Sequence, residues 1–366
     1  MKNTYGVSVS VTLFGESHGP YIGAVLDGLA PGIRIKDDYI RKMLSARAAK
    51  SSISTARREA DEYSIVSGVK DGFTTGTPLC ILIPNSDTRS GDYGEMQYLA
   101  RPGHADYTAE CKYHGFQDKN GGGHFSGRIT AALTAAGAIC MSALEDRGIK
   151  IATHISRCAG VRDREFDNLT ADFEILGKAD FPVLDAAAGE RLKEEINAAK
   201  NSLDSVGGIL TTAVTGFPRG VGEPWFDTLE GELSHMLFSV PAVKGVEFGK
   251  GFELADMTGS EANDEPVSVN GEITHRSNNN GGIVGGISNG MPLLFSCAVK
   301  PTPSIAKKQN TVNLKTGENT EIEIKGRHDP AIVHRAAAAV SAATAIVLCD
   351  MLARRYGTDY LSGNKD

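Results

Sequence analysis

The sequence has no CxxC pair. Its six cysteines, Cys80, Cys111, Cys140, Cys158, Cys297 and Cys349, are scattered over 366 residues. The ligand spacing of a structural zinc site is missing, so no metal is expected, and the thiols read as free in a cytosolic protein. A basic excess is missing too. Lys+Arg 38 against Asp+Glu 45 leaves a net charge of −7, which argues against a nucleic-acid partner. The N-terminus carries one basic residue, Lys2, with no apolar run behind it, so no secretory signal is read. The two alanine-rich uncharged stretches, residues 129–144 and 336–349, fall short of the ~18–20 apolar residues that span a bilayer. They read as buried helices, and no membrane partner is expected. No Pro/Ser-rich or charge-run linker divides the chain, so one domain over residues 1–366 is expected.

Glycine is in excess, 42 of 366 residues, without the triplet period of collagen. Residues 7–13 alternate with period two and read as a half-buried strand running into the turn at 15–20. Strands are also expected at 22–29, 64–69, 77–83, 148–160, 207–214 and 293–300. Helices are expected after Asp37, at 185–201, near 229–237 and over 331–355. The polar stretch 85–102 reads as a long functional loop.

Three features point to chemistry. Residues 41–58 hold six basic side chains, among them Arg41, Arg47 and Arg58, and no acidic one. The segment reads either as a solvated face or as a pocket for a small polyanion, since guanidinium forks match phosphate and carboxylate. Gly121-Gly122-Gly123 precedes an apolar helix, a geometry that turns backbone N–H groups toward an anion. Its spacing is neither a Rossmann fingerprint nor a P-loop. A second cluster lies at 281–286; tight turns explain both clusters equally well. Finally, His18, His104 and His328 each stand beside turn residues, as surface histidines do and as acid catalysts do. No nucleophile elbow accompanies them.

Taken in order, the motifs resemble the chorismate synthase family from end to end: FGESHGP at 14–20, RREAD at 57–61, SGVKDGFTTGTP at 67–78, DTRSGDY at 87–93, RPGHADYT at 101–108, the glycine loop at 121–130, AVKGVEFG at 242–249, GGIVGGISNG at 281–290, KPTPSI at 300–305 and GRHDP at 326–330. The resemblance implies an α+β fold, a β-α-β sandwich of the chorismate synthase type and not a Rossmann fold. It implies anti-1,4-elimination of phosphate and a ring hydrogen from 5-enolpyruvylshikimate 3-phosphate, with reduced FMN and no net redox change. It also implies a homotetramer. No second nucleotide fingerprint is present, so an external source of reduced flavin is expected.

By position, the resemblance makes His18 the residue that protonates the reduced flavin and His104 the one that protonates the departing phosphate. Asp329 becomes the carboxylate that assists the flavin, with Ser17 and Ser126 as proton relays. His124, Phe125, Ser126, Ala242, Gly285, Lys300, Pro301, Thr302, Pro303, Ser304 and Arg327 fall on flavin positions. Arg47, Arg101, Arg128 and Arg335 are substrate cations. Two departures stand out. His124 replaces the family's arginine, and the basic segment at 46–52, to which NADP contacts are sometimes assigned, is one residue shorter. A binding protein that holds FMN and anions without turnover is the alternative these departures suggest; an ordinary flavin oxidoreductase is a third.

Overall fold

The computed structural model describes residues 2–48, 61–86, 95–324 and 329–362. Two five-stranded sheets enclose a layer of helices. The first sheet runs in the order Thr4–Tyr5, Ser10–Gly15, Tyr21–Asp27, Leu79–Pro84, Ser64–Ser67. The second runs Val243–Phe248, Leu293–Val299, Gly208–Thr215, Lys150–Cys158, Val161–Arg162. Every pairing in both is antiparallel. This is the expected α+β sandwich, and it differs from a Rossmann fold, whose sheet is mostly parallel.

Alternation decides which face each strand buries. Ile22, Ala24 and Leu26 point inward beside Leu79, Ile81 and Ile83; Leu293, Phe295, Cys297 and Val299 do the same in the second sheet. Between the sheets lie the helices Thr130–Glu145 and Val333–Tyr356. They are apolar almost all round, as helices buried on every side must be. With its opening turns the first covers 19 residues and the second 24, longer than the uncharged stretches that mark them in the sequence. By length and composition both would pass for membrane spans, yet 89% and 94% of their most apolar windows are buried inside the protein.

Small residues let these helices meet closely. A Cβ added at Gly137 would stand 2.4 Å from both the Cβ and the carbonyl oxygen of Ala342. The Arg47 guanidinium donates to Thr130 Oγ1 at 2.9 Å, and its carbonyl accepts Arg335 Nε at 2.9 Å. Both helices therefore start at the same end of the sandwich. Further along, Cys349 Sγ approaches the Cys140 carbonyl, so the two run in the same direction.

The strand Ser10–Gly15 begins later than the alternation at 7–13 suggests. The N–H groups of Val7, Ser8 and Val9 turn instead to the buried carboxylate of Asp350, at 2.7–3.2 Å. Asp350 also pairs with Arg354, which meets Glu232, which accepts the Tyr5 hydroxyl. The six cysteines are free, as expected. The helix Leu229–Leu237 lies where its periodicity places it.

Gly137→Ala tests the helix crossing. Helix propensity alone favours alanine by about 1 kcal/mol, but overpacking against Ala342 costs about 1–3 kcal/mol. The expected net result is a lower Tm. Gly177→Ala, in the helix Leu169–Lys178 with nothing within 4 Å of its added Cβ, should raise Tm; thermal unfolding of both variants checks the pair.

Candidate functional site

The site is built where the two central helices begin. The glycine loop enters the Thr130–Glu145 helix through two short 3₁₀ turns, Gly123–Phe125 and Gly127–Ile129. Ser126 caps the second, its hydroxyl accepting Arg128 N–H at 3.2 Å. Gly121 has φ +66°, and a Cβ there would fall 2.3 Å from the His18 ring and 3.0 Å from Ser17 Oγ. Only glycine lets the loop lie against these side chains. Ser17 is buried. Its backbone N–H donates to the Gly123 carbonyl at 3.1 Å and its hydroxyl lies 3.1 Å from His18 Nδ1. His124 Nδ1 lies 2.8 Å from the Gly15 carbonyl. Ser17, His18, His124 and Ser126 thus converge on one loop.

Beside it is a buried charge cluster. Arg47 and Arg128 each bind one oxygen of Asp61, and all three residues are 5% exposed. Arg47 also donates to the Gly127 carbonyl and Thr130 Oγ1, and Arg128 to Asn85 Oδ1 and the Pro84 carbonyl. Arg335, in the first turn of the second helix, donates to Asp329 Oδ2 at 2.5 Å as well as to the Arg47 carbonyl. The proposed substrate cations Arg47 and Arg128 are therefore brought together, with their guanidinium groups held on Asp61.

The third group surrounds His104. Its Nε2 lies 2.6 Å from Ser304 Oγ, and Lys300 Nζ donates to the Gly103 carbonyl at 2.6 Å. Arg101 grips Asp106 through Nε and Nη2 and its backbone N–H. That pairing fixes the start of the helix Asp106–Tyr113 and the loop holding His104. Contacts link this group to the others: the Thr302 carbonyl accepts Ser205 Oγ, and Val206 N–H donates to the Pro330 carbonyl next to Asp329. Pro301 and Pro303 stiffen this segment, Pro303 resting against Gly103.

Not every expected residue joins. Ala242 touches the site through its carbonyl, which accepts Lys300 N–H; it is a non-glycine residue at φ 76°. Phe125 is exposed and packs edge-on to Tyr113. Gly285 lies at the tip of the hairpin formed by Ile283–Val284 and Ile287–Ser288, and nothing comes within 4 Å of an added Cβ. Arg327 and His328 lie outside the described residues. Among the described residues no group of His, Cys, Asp or Glu could hold a metal ion. Sequence reading assigned no role to Asp61 or Asn85. The available signal was that Asp61 is the first acid after the basic run except for Glu59.

Among the described residues, Arg47 and Arg128 pair with Asp61 and Arg335 with Asp329, so cations gather here in a chain of net charge −7. Two helix N-termini add roughly half a charge each. Lys300 meets no carboxylate among the described residues. Thr302 Oγ1 is buried without a hydrogen-bond partner, at a cost of about 1–3 kcal/mol unless a ligand meets it. An ammonium that meets no carboxylate among the described residues, two positions along the chain from an unsatisfied hydroxyl, fits a polar, anionic ligand.

The chain resembles known proteins over nearly its whole length. The model of the chorismate synthase family matches residues 9–353. The chain is 45% identical over 350 residues to the chorismate synthase of Thermococcus gammatolerans, covering 96% of this chain and 97% of that protein. It is 42% identical over 355 residues to that of Aeropyrum pernix, covering 97% and 93%. A crystal structure of a chorismate synthase superposes with TM-score 0.74 at 26% identity, covering 96% of this chain and 94% of the other.

One buried histidine couples the stability of the fold to pH. His334 packs beside the Phe181 ring in the first turn of the second helix. Burial pushes its imidazole down to about 4; the nearby Asp329 opposes the shift and Arg335 adds to it. The unfolded chain takes up this proton near pH 6.5, the folded chain only near 4. The resulting stability is complete above about pH 6.5 and is lost as pH falls toward 4, a loss of about 3 kcal/mol. The urea midpoint should fall over that window, and His334→Gln should flatten the fall. Equal pH dependence in both proteins would remove His334 from the account.

Proposed function

The chain belongs to the chorismate synthase family, and we infer that this site carries out the family's reaction on 5-enolpyruvylshikimate 3-phosphate. That reaction is the anti-1,4-elimination of phosphate and a ring hydrogen to give chorismate. The enzyme is a carbon–oxygen lyase of the shikimate pathway to aromatic amino acids. The observation that supports the reading is that His18 and Asp329 lie against the starts of the two parallel helices, to which the His104 loop is joined through Ser304 and the 300–304 segment. Each is held by a partner: Ser17, Ser304 and Arg335.

The chemistry explains the residue types. The substrate carries two carboxylates and a phosphate, so it needs fixed positive charge. Here that charge is preorganised by burial and by hydrogen bonds, so little reorganisation accompanies the reaction. His104, aligned by Ser304 and by the Arg101–Asp106 clamp below its loop, delivers a proton to the departing phosphate. His18, set against Ser17, stands ready to protonate the cofactor. Arg335 fixes the carboxylate of Asp329 in one orientation, which suits a group that must accept or steer a proton.

The ring hydrogen that is lost is not acidic, so a side-chain base alone is insufficient. Lys300, Thr302 and Ser304 would hold reduced FMN, which would supply the electron density that breaking the allylic C–O bond requires. Lys300 offers an anionic group a cation that meets no carboxylate among the described residues, and Thr302 offers an unsatisfied hydroxyl. Ser126 and His124 close the glycine-loop side, and Arg327 belongs to the same flavin set by its position in the family pattern. The assembled enzyme is a cytoplasmic homotetramer in this reading. No nucleotide fingerprint is legible for NADP, so reducing equivalents reach FMN from an external reductant.

Anaerobic incubation with photoreduced FMN and substrate should release phosphate and chorismate in equal amounts, with no reductant consumed per turnover. Binding of both ligands without product would select the non-catalytic alternative. Net NADPH consumption per product would select an oxidoreductase. His104→Ala should lower turnover roughly 10²–10⁴-fold, as expected for loss of a proton donor; unchanged turnover would remove His104 from the mechanism.

A further inference from the structure

Asn85 joins two parts of the site that lie far apart in sequence. It is half-buried and directly follows the strand Leu79–Pro84. Its backbone N–H donates to the Pro20 carbonyl at 3.1 Å. Its side-chain Nδ2 donates to the Glu16 carbonyl at 2.9 Å and to the Gly19 carbonyl at 2.7 Å. Ser17 and His18 are the two residues between those carbonyls. On the other side, Asn85 Oδ1 accepts Arg128 Nε at 2.9 Å. The partners fix which atom is which. A guanidinium only donates and a backbone carbonyl only accepts, so neither a flipped amide nor a carboxylate can make all three side-chain bonds.

The turn that carries His18 closes without this clamp. The strands flanking it pair from Ser10 opposite Asp27 to Gly15 opposite Ile22, and Gly19 N–H donates to the Glu16 carbonyl inside the turn. What the Asn85 side chain adds is the place of the closed turn relative to Arg128. That arginine is buried, and its backbone N–H is tied to Ser126 Oγ at the glycine loop. Reacting groups need such bracing, because a displacement near 1 Å costs about 10²-fold in rate.

We propose that Asn85 is a positioning residue for the reaction: its side-chain amide grips the His18 turn at both ends and anchors it on Arg128. One side chain thereby sets the group that protonates the cofactor at a fixed place beside a group that binds the substrate. This rests on the reading of His18 as that proton donor and of Arg128 as a substrate cation. Asn85 itself touches neither ligand in this account; it acts through His18.

Two measurements on the full-length protein test it. The first needs no cofactor: the ring signal of His18 in a histidine NMR spectrum, assigned by its loss in His18→Ala. Asn85→Ala should shift or broaden that signal and leave in place the signal of His154, which is buried in the second sheet. An unmoved His18 signal, or one that moves together with that of His154, overturns the proposal. The second is turnover with photoreduced FMN in two backgrounds, since residues that act through one another are not additive. Asn85→Ala should lower kcat about tenfold or more in the parent, and less than about twofold where His18 is already alanine. An unchanged kcat in the parent background overturns the proposal. An equal fall in both backgrounds also overturns it, while the reading of His18 stands. A His18→Ala variant with unchanged kcat overturns both. If Asn85→Ala fails to fold, Asn85→Asp decides by the same comparisons: it keeps the shape and an acceptor for Arg128 but cannot donate to either carbonyl.

Discussion

The close crossing of the two central helices at Gly137 and Ala342 is the constraint on which the rest depends. The added-Cβ distance of 2.4 Å at Gly137 means that the helices approach backbone to backbone. That closeness allows one helical layer to be covered by a sheet on each side. It also fixes the relative height of two helix starts. Because the helices run in the same direction, their positive ends coincide, and the catalytic candidates collect at that end. In an antiparallel pair the dipoles would oppose each other and one end would be repelled by the substrate's anions.

The net charge of −7 takes on another meaning in this frame. Acidic residues such as Asp37, Asp146 and Glu62 pair with lysine and arginine at the surface, where such pairs contribute little to stability. The cations at the helix starts are buried or half-buried and are screened less by salt. A small local positive region can therefore dominate what the site binds even in an acidic protein. The same division separates structural polar groups from functional ones. Asp350 takes three backbone N–H groups and Arg354, and its lone pairs are satisfied by the protein. Thr302 Oγ1 and Lys300 retain capacity that the protein does not meet.

Local pattern made part of this legible. The helix Leu229–Leu237, the strand Leu293–Val299 and the two alanine-rich helices are announced by periodicity. Groups whose partners lie far along the chain are not. Asp350 delays the strand Ser10–Gly15 from more than 340 positions away, and no window that contains Val7 includes it. The helix Asp106–Tyr113 is short, with one buried residue, Ala109, so it carries little apolar stripe; the Arg101–Asp106 clamp defines it instead. His18, His104 and Asp329 were named through motif order. What holds them, Ser304, Arg335 and the glycine loop, emerged only when the chain was folded. Asp61 lay within a quoted motif without a role, since its meaning depends on Arg47 and Arg128 arriving from either side.

His124, where the sequence resemblance leads to an arginine, acts as a brace in the glycine loop. A carbonyl can only accept, so the 2.8 Å contact to Gly15 places a proton on His124 Nδ1. That bond ties the loop to the end of the strand Ser10–Gly15, two residues before Ser17. Gly15 itself needs φ +95°, because a Cβ there would fall 2.3 Å from the Tyr21 carbonyl, so the turn it opens has little freedom. His124 therefore joins two rigid pieces, the strand end and the 3₁₀ turn Gly123–Phe125, and its Nε2 is left as the nitrogen that faces other partners. An arginine would bring permanent charge and a longer reach. A histidine brings a shorter brace whose charge is not permanent, and the wall formed by Arg47, Arg128 and two helix starts already supplies fixed positive charge. His124 thus serves as a tether between the strand end and the 3₁₀ turn that opens the glycine loop's helix.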